Sequence, residues 1–256
     1  MLDLPHILYI LISGVITALG LWASAKFAKS QKHKDIILKI AAISTVIIHY
    51  SDLWVDFFSN GGVAQIENNH ILLIYPCHII MWFLFVAALS NKKESVPIKI
   101  ISEFAFWGGI ICGSIGIIFN INYNNNPNLL DYDILKGLLS HSTMLFGCIY
   151  LLVGKYIKIR VYNVFSCVAG LAFFIIDGAI INLLFKTFGI PSVNAMFLEE
   201  PPFPEYPWMS VHLLVIIVLP LLFGALALYE KKCFPEEERW NVQLKNFIDK
   251  KRGNTK

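Results

Sequence analysis

The sequence predicts an all-α fold, a polytopic membrane bundle of about seven transmembrane helices with its amino terminus outside and its carboxy terminus in the cytoplasm. Three observations predict it. Of the 256 residues, 56% are hydrophobic and only 15% are charged, so the chain lacks the polar surface that a soluble domain of this size needs. Apolar runs of spanning length recur seven times. Basic residues fall almost entirely on one side of those runs.

The runs are 6–27, 36–58, 71–90, 98–119, 134–154, 161–185 and 208–229. Each is long enough for a hydrocarbon core of about 30 Å at about 1.5 Å per residue. The first is a retained helix, not a signal peptide. Asp3 precedes it and Lys26, Lys29, Lys32 and Lys34 follow it, the reverse of the usual charge order. The odd loops with their flanks, and the tail, hold 19 of the 21 Lys and Arg, leaving Lys136 and Lys186 on the other side. The positive-inside rule puts that basic side in the cytoplasm. The expectation is a multi-pass protein of the cell membrane, with residues 1–229 as transmembrane domain and 230–256 as cytoplasmic tail. Within the tail, Trp240, Leu244, Phe247 and Ile248 have helical spacing, which fits an amphipathic helix lying on the membrane as well as a solvated tail. Loop 186–207 carries five prolines and is stiff enough to cap the outer mouth.

Neither the charge pattern nor the cysteines suggest a nucleic-acid partner, a disulfide framework or a zinc ribbon. Cys77, Cys112, Cys148, Cys167 and Cys233 form no close-spaced pair.

Ionisable groups inside spans cost at least about 2.5 kcal/mol near the bilayer centre and call for a reason. The second span has His49, Asp52 and Asp56, spaced to share one helix face. The third has Cys77 and His78 just after Pro76, a residue expected to kink that helix and to free the carbonyl of Leu72. The fifth has His141, the sixth Asp177 and Asn182, and the seventh His212. Counting residues from the outer ends puts Cys77 and His141 roughly 10 Å deep, with Asp52 and Asp177 in the same layer. One by one these residues have plain readings: a lone buried cysteine fills space, His6, His78 and His212 form hydrogen bonds near the interface, and His49 with Asp52 makes a structural pair. Their common depth across several spans points instead to a shared polar cavity.

Three chemistries suit such a cavity. A thiol attacks as the thiolate, so Cys77 with His141 as base and an acid such as Asp52 or Asp177 orienting the ring would transfer acyl groups through a thioester, with no cofactor and no metal. Alternatively His49, Asp52, His141, Asp177 and His212 are zinc-ligand types, which would make a metal-dependent lipid hydrolase, although no HExxH-like local pair is present. The third reading is a proton-coupled transporter or receptor, and the lack of inverted repeats weighs against the transporter.

Three segments carry a resemblance. They are Ile74-Tyr75-Pro76-Cys77-His78; Leu139-Ser140-His141-Ser142 followed by Tyr150-Leu151-Leu152; and Asn194-Ala195-Met196-Phe197-Leu198, then Pro201 and Tyr206-Pro207-Trp208. In this order on seven spans the chain resembles the YwaF-like integral membrane family, which is related to the eukaryotic acyltransferase transmembrane protein 164. The resemblance implies a cysteine-centred acyltransferase acting on membrane phospholipids and lysophospholipids. The family cysteine corresponds to Cys77 and the family histidine to His141. His49, His78, Asp52, Asp177 and Asn182 are then expected to line or support the cavity, and Asn194, Phe197, Pro201 and Trp208 to form the loop motif. The chain departs from the family pattern where proline directly precedes the cysteine and where Ala195 replaces an aromatic residue, and both positions bear on acyl preference.

Overall fold

The computed structural model describes residues 3–59, 61–62, 72–120, 123, 127–191, 193–202, 207 and 210–251, the side chains of 212, 214, 250 and 251 excepted. Trp208 and the His212 side chain lie outside the described residues. Among the described residues there are nine α-helices and no strand: α1 (Leu4–Phe27), α2 (Gln31–His49), α3 (Ser51–Ser59), α4 (Pro76–Leu89), α5 (Val96–Ile118), α6 (Tyr132–Val153), α7 (Asn163–Thr187), α8 (Val211–Cys233) and α9 (Trp240–Lys251). Each apolar run thus carries a helix.

Among the described residues α1, α5, α6 and α7 are long and apolar enough to cross a membrane, and α2 with α3 makes a fifth candidate if the bent pair counts as one span. Their outer faces are apolar. Leu11, Ile16, Ile176 and Leu183 are each more than half exposed, a surface that needs lipid rather than water against it. The chain is a membrane protein.

Two helices depart from the expected continuous spans. The second run bends by 40° between α2 and α3. Ser51 causes this locally: its Oγ donates to the Ile48 carbonyl at 2.7 Å, competing with the helical ladder, and it also bonds the Tyr132 hydroxyl at 2.6 Å. His49, Asp52 and Asp56 therefore do not share one continuous helix face. In the third run the helix starts at Pro76 and has 14 residues. Pro76 initiates α4 instead of kinking it, since a proline in the first turn gives up an N–H that has no helical partner anyway. The carbonyl engaged from outside is that of Ile74, which accepts from Met196 N at 2.7 Å.

The core gathers where α4, α6 and α7 pack on α5 and α2 packs on α4 and α6, around Leu38, Ile79, Ile80, Leu84, Phe104 and Cys148. Small residues set the approach. A Cβ on Gly109 would lie 2.2 Å from Cys148 Sγ, and one on Gly170 would lie 2.2 Å from the Phe104 ring. By contrast α1 lies at the margin, with His6 as its one buried residue. It is pinned by polar contacts: His6 Nε2 to the Ile117 carbonyl at 2.8 Å, and Tyr9 and Ser13 hydroxyls to Ser142 Oγ at 3.0 and 2.9 Å.

At the basic end the tail is latched. Arg160 Nε donates to Glu230 Oε1 at 3.1 Å, Val161 N to the same oxygen at 2.7 Å, and Trp240 N to Oε2 at 2.9 Å. Arg160 also donates to the Glu238 carbonyl and lies 4.3 Å over the Phe234 ring. Helix α8 runs past the expected boundary at 229 because Glu230, 1% exposed, belongs to this packed junction.

Candidate functional site: a thiol and imidazole cavity

Helices α2, α4 and α6 enclose a cavity of about 20 Å³ lined by Thr45, His49, Cys77, His78, Met81, Ser140, His141 and Met144, enough for about one water molecule. Helical spacing explains the lining. Thr45 lies one turn before His49, Met81 one turn after Cys77, and Met144 nearly one turn after His141. Sequence reasoning missed Thr45, Met81 and Met144, and their i, i+4 or i, i+3 spacing from His49, Cys77 and His141 is the signal that could have found them.

Cys77 occupies the first turn of α4, after Pro76. There the free backbone N–H groups and the positive end of the helix dipole favour an anion. On α6, His141 Nδ1 lies 2.7 Å from the Gly137 carbonyl. A carbonyl only accepts, so Nδ1 carries the proton in the neutral ring, and Nε2 keeps its lone pair as a potential base. The ring rests on the bare backbone of Gly116 in α5. A Cβ there would come within 2.1 Å of Cδ2 and 2.4 Å of Nε2. Sequence reasoning missed Gly116, since nothing in α5 marks it until α6 is packed against it.

His49 and His78 join the cavity through ring contacts. Their centroids are 4.7 Å apart, and Tyr75 lies 5.3 Å from His78. Tyr75 in turn stacks on Phe197 at 5.6 Å. The loop after α7 thus touches the segment that leads into Cys77, and its own shape is held firmly. Asn182 clamps Ala195, accepting from its N at 2.7 Å and donating to its carbonyl at 3.3 Å. Asn194 accepts from Glu199 N and Glu200 N at 3.0 and 3.1 Å. Asn194, Met196 and Phe197 all have positive φ, at 47°, 55° and 54°, a conformation that side chains tolerate only when the surroundings impose it. Pro201 is half-buried in the same loop.

The remaining candidates go elsewhere. Asp52 does not line the cavity. The bend turns it toward α6, where Oδ2 pairs with Lys136 Nζ at 2.8 Å, which also accounts for one of the two lysines on the weakly basic side. Asp177 does not line it either. It precedes Gly178, whose missing Cβ leaves room for Ala195, Met196 and Leu198, and its Oδ2 is buried without a hydrogen-bond partner among the described residues. Asn182 holds the loop, not the cavity. The acid expected to orient His141 is therefore replaced by the Gly137 carbonyl. The five proposed zinc ligands are dispersed as well: His49 and His141 line the cavity, Asp52 and Asp177 do not, and His212 lies outside the described side chains. Among the described residues no group of three or more His, Cys, Asp or Glu is placed to hold a metal ion.

No curated protein and no solved structure matches the chain. A family model does, over residues 1–226, which takes in all eight cavity residues, the loop after α7 and every helix down to most of α8. On that coverage the chain belongs to the TMEM164 family.

Proposed function

We propose that this protein is a multi-pass enzyme of the cell membrane that moves a fatty acyl chain between phospholipid and lysophospholipid through a thioester on Cys77. In this reading the chain crosses the bilayer seven times, with the amino terminus outside and α9 lying on the cytoplasmic leaflet. The observation that carries it is one cavity shared by a thiol at a helix N-terminus and an imidazole whose Nδ1 is committed to a carbonyl. His141 Nε2 takes the thiol proton, and the thiolate sulfur attacks the ester carbonyl carbon of the donor. The ester C–O bond breaks, and the leaving lysophospholipid oxygen takes the proton back from His141. The hydroxyl of an acceptor lysophospholipid then gives its proton to Nε2 and attacks the thioester. The new ester C–O bond forms as the thioester C–S bond breaks, and the leaving thiolate takes the proton from Nε2, restoring the thiol. The route needs no cofactor or metal, and its partners are membrane phospholipids and lysophospholipids.

Acyl exchange in reconstituted vesicles tests this. With labelled phospholipid donor and unlabelled lysophospholipid acceptor, wild type moves label and forms a hydroxylamine-sensitive acyl-protein adduct. Cys77→Ser does neither. Transfer that survives in Cys77→Ser removes the thioester from the scheme.

A further inference from the structure

We infer that the basic end of the bundle holds a separate binding site for the phosphate of an anionic lipid. A groove of about 560 Å³ opens there, and Lys39, Lys92, Lys93 and Lys155 line it together with Asp35 and Tyr156. It is remote from the thiol cavity. On α4 the cavity lies in the first two turns and the groove lies beyond the last residue, and along α6 the stretch from His141 to Val153 spans about 18 Å.

The groove is built and it is cationic. Asp35 Oδ1 accepts from Tyr156 Oη at 2.6 Å, Lys93 Nζ at 2.9 Å and Gln31 Nε2 at 3.0 Å, and Lys93 lies 4.5 Å over the Tyr156 ring. These contacts fasten three chain segments into a floor and pair the Asp35 charge with Lys93. Glu94, also on the groove, is 89% exposed and paired with Lys99 at 2.7 Å. The ammonium groups of Lys39, Lys92 and Lys155 have no carboxylate partner among the described residues, so three positive charges face the groove.

Lys155 adds a second, independent observation. Helix α6 ends in a Schellman arrangement. Tyr156 N donates to the Leu151 carbonyl and Lys155 N to the Leu152 carbonyl, each at 2.9 Å, and Lys155 has φ +67°. Glycine fills such a position without strain, and a side chain there is strained. The neighbouring Gly154 shows that glycine occurs in this turn, yet the strained position carries a lysine that lines the groove.

The position of Lys39 selects a lipid over a soluble phosphate. Lys39 lies about 6 Å further along α2 than Asp35, flanked by Ile36, Ile40, Ile43 and Ile47, all exposed and spaced to form one helix stripe. A headgroup phosphate on the lysines would leave its acyl chains along that stripe. Basic pockets beside membrane helices bind anionic headgroups on these terms.

The test measures binding of fluorescent phosphatidylglycerol and fluorescent phosphatidylcholine to the purified full chain, with inorganic phosphate as competitor. Lys155→Gly should weaken phosphatidylglycerol binding about fivefold, and the triple change Lys39→Gln, Lys92→Gln, Lys155→Gln about a hundredfold, with phosphatidylcholine unaffected. Because Lys155→Gly also relieves the left-handed strain, its thermal stability should hold or rise, so lost binding is not lost folding. Unchanged phosphatidylglycerol affinity in both variants overturns the site. Binding of inorganic phosphate as tight as that of phosphatidylglycerol overturns the lipid as its ligand.

Discussion

The two ends of the bundle both bury polar groups, and they do so in opposite ways. At the basic end the buried carboxylates among the described residues are held by hydrogen bonds. Glu230 accepts three hydrogen bonds from Arg160, Val161 and Trp240, and Glu103 accepts from Ser166 Oγ at 2.5 Å. At the other end a thiol and three imidazoles surround a space the size of one water. Matched charges in an apolar interior are architecture: they join chain segments and have nothing left to react with. A nucleophile beside a ring with a free lone pair keeps reactive capacity, and this difference is why the proposed chemistry belongs at the cavity end and the latch at the other.

The sharpest way to break that comparison is to remove the base. His141→Gln should lower acyl transfer by about 10²- to 10⁴-fold with little loss of thermal stability, since glutamine still reaches the Gly137 carbonyl. A variant that unfolds instead of losing rate would make His141 as architectural as Glu230. The converse change is Glu230→Ala. It strands Arg160 in the interior and should cost about 3–5 kcal/mol, read as a drop in unfolding midpoint and as protease cleavage between α8 and α9. The fraction still folded should transfer acyl chains at the wild-type rate. A rate loss without destabilisation would join the two ends functionally.

What was legible in the sequence follows from the range of each signal. Apolar runs are one-dimensional, so each of the seven marks the place of a helix, although among the described residues four, or five with the bent pair, are long and apolar enough to span; depth counting puts Cys77 and His141 in one layer because every helix rises by the same increment. The bend at Tyr50 depends on one hydroxyl, that of Ser51, choosing the Ile48 carbonyl, and periodicity carries no trace of that choice. Hydropathy runs through Pro76 and so predicts a kink, whereas the helix begins there. Asp52 with Lys136, 84 positions apart, and Arg160 with Glu230, 70 apart, are pairings that only packing reveals. The same holds for Asn182, whose amide fits Ala195 across a loop of left-handed residues.

Gly116 sharpens the comparison from the side of geometry. Gly116→Ala puts a methyl group where the His141 ring lies, 2.1 to 2.6 Å from three of its atoms, so the imidazole must move. A displacement of about 1 Å is enough to lower the transfer rate about a hundredfold. Gly113→Ala is the control, because its Cβ meets Leu145 Cβ at 3.0 Å and only the backbone oxygen of His141 at 3.5 Å. Its rate should fall much less. Equal losses in the two variants would mean that helix spacing, not ring position, limits the reaction.

The smallest effect concerns the N-terminal anchor of α1, where a surface carboxylate holds a marginal helix. Asp3 accepts from His6 N at 3.0 Å and from the Tyr123 hydroxyl at 2.5 Å, and the Tyr123 hydrogen bond, above all, holds its carboxyl below the ordinary 3.8. A carboxyl depressed in the folded state contributes stability above the unfolded value and loses it as pH falls through the folded one. Protection of the first amides of α1 against hydrogen exchange should therefore be flat from neutral pH down to about 4 and then decline. Asp3→Asn should remove that acid step while leaving the cavity chemistry untouched, because His6 remains fixed to the Ile117 carbonyl. A decline that begins well above pH 4, or that persists in Asp3→Asn, would assign the anchor to another group and detach Asp3 from the stability of α1.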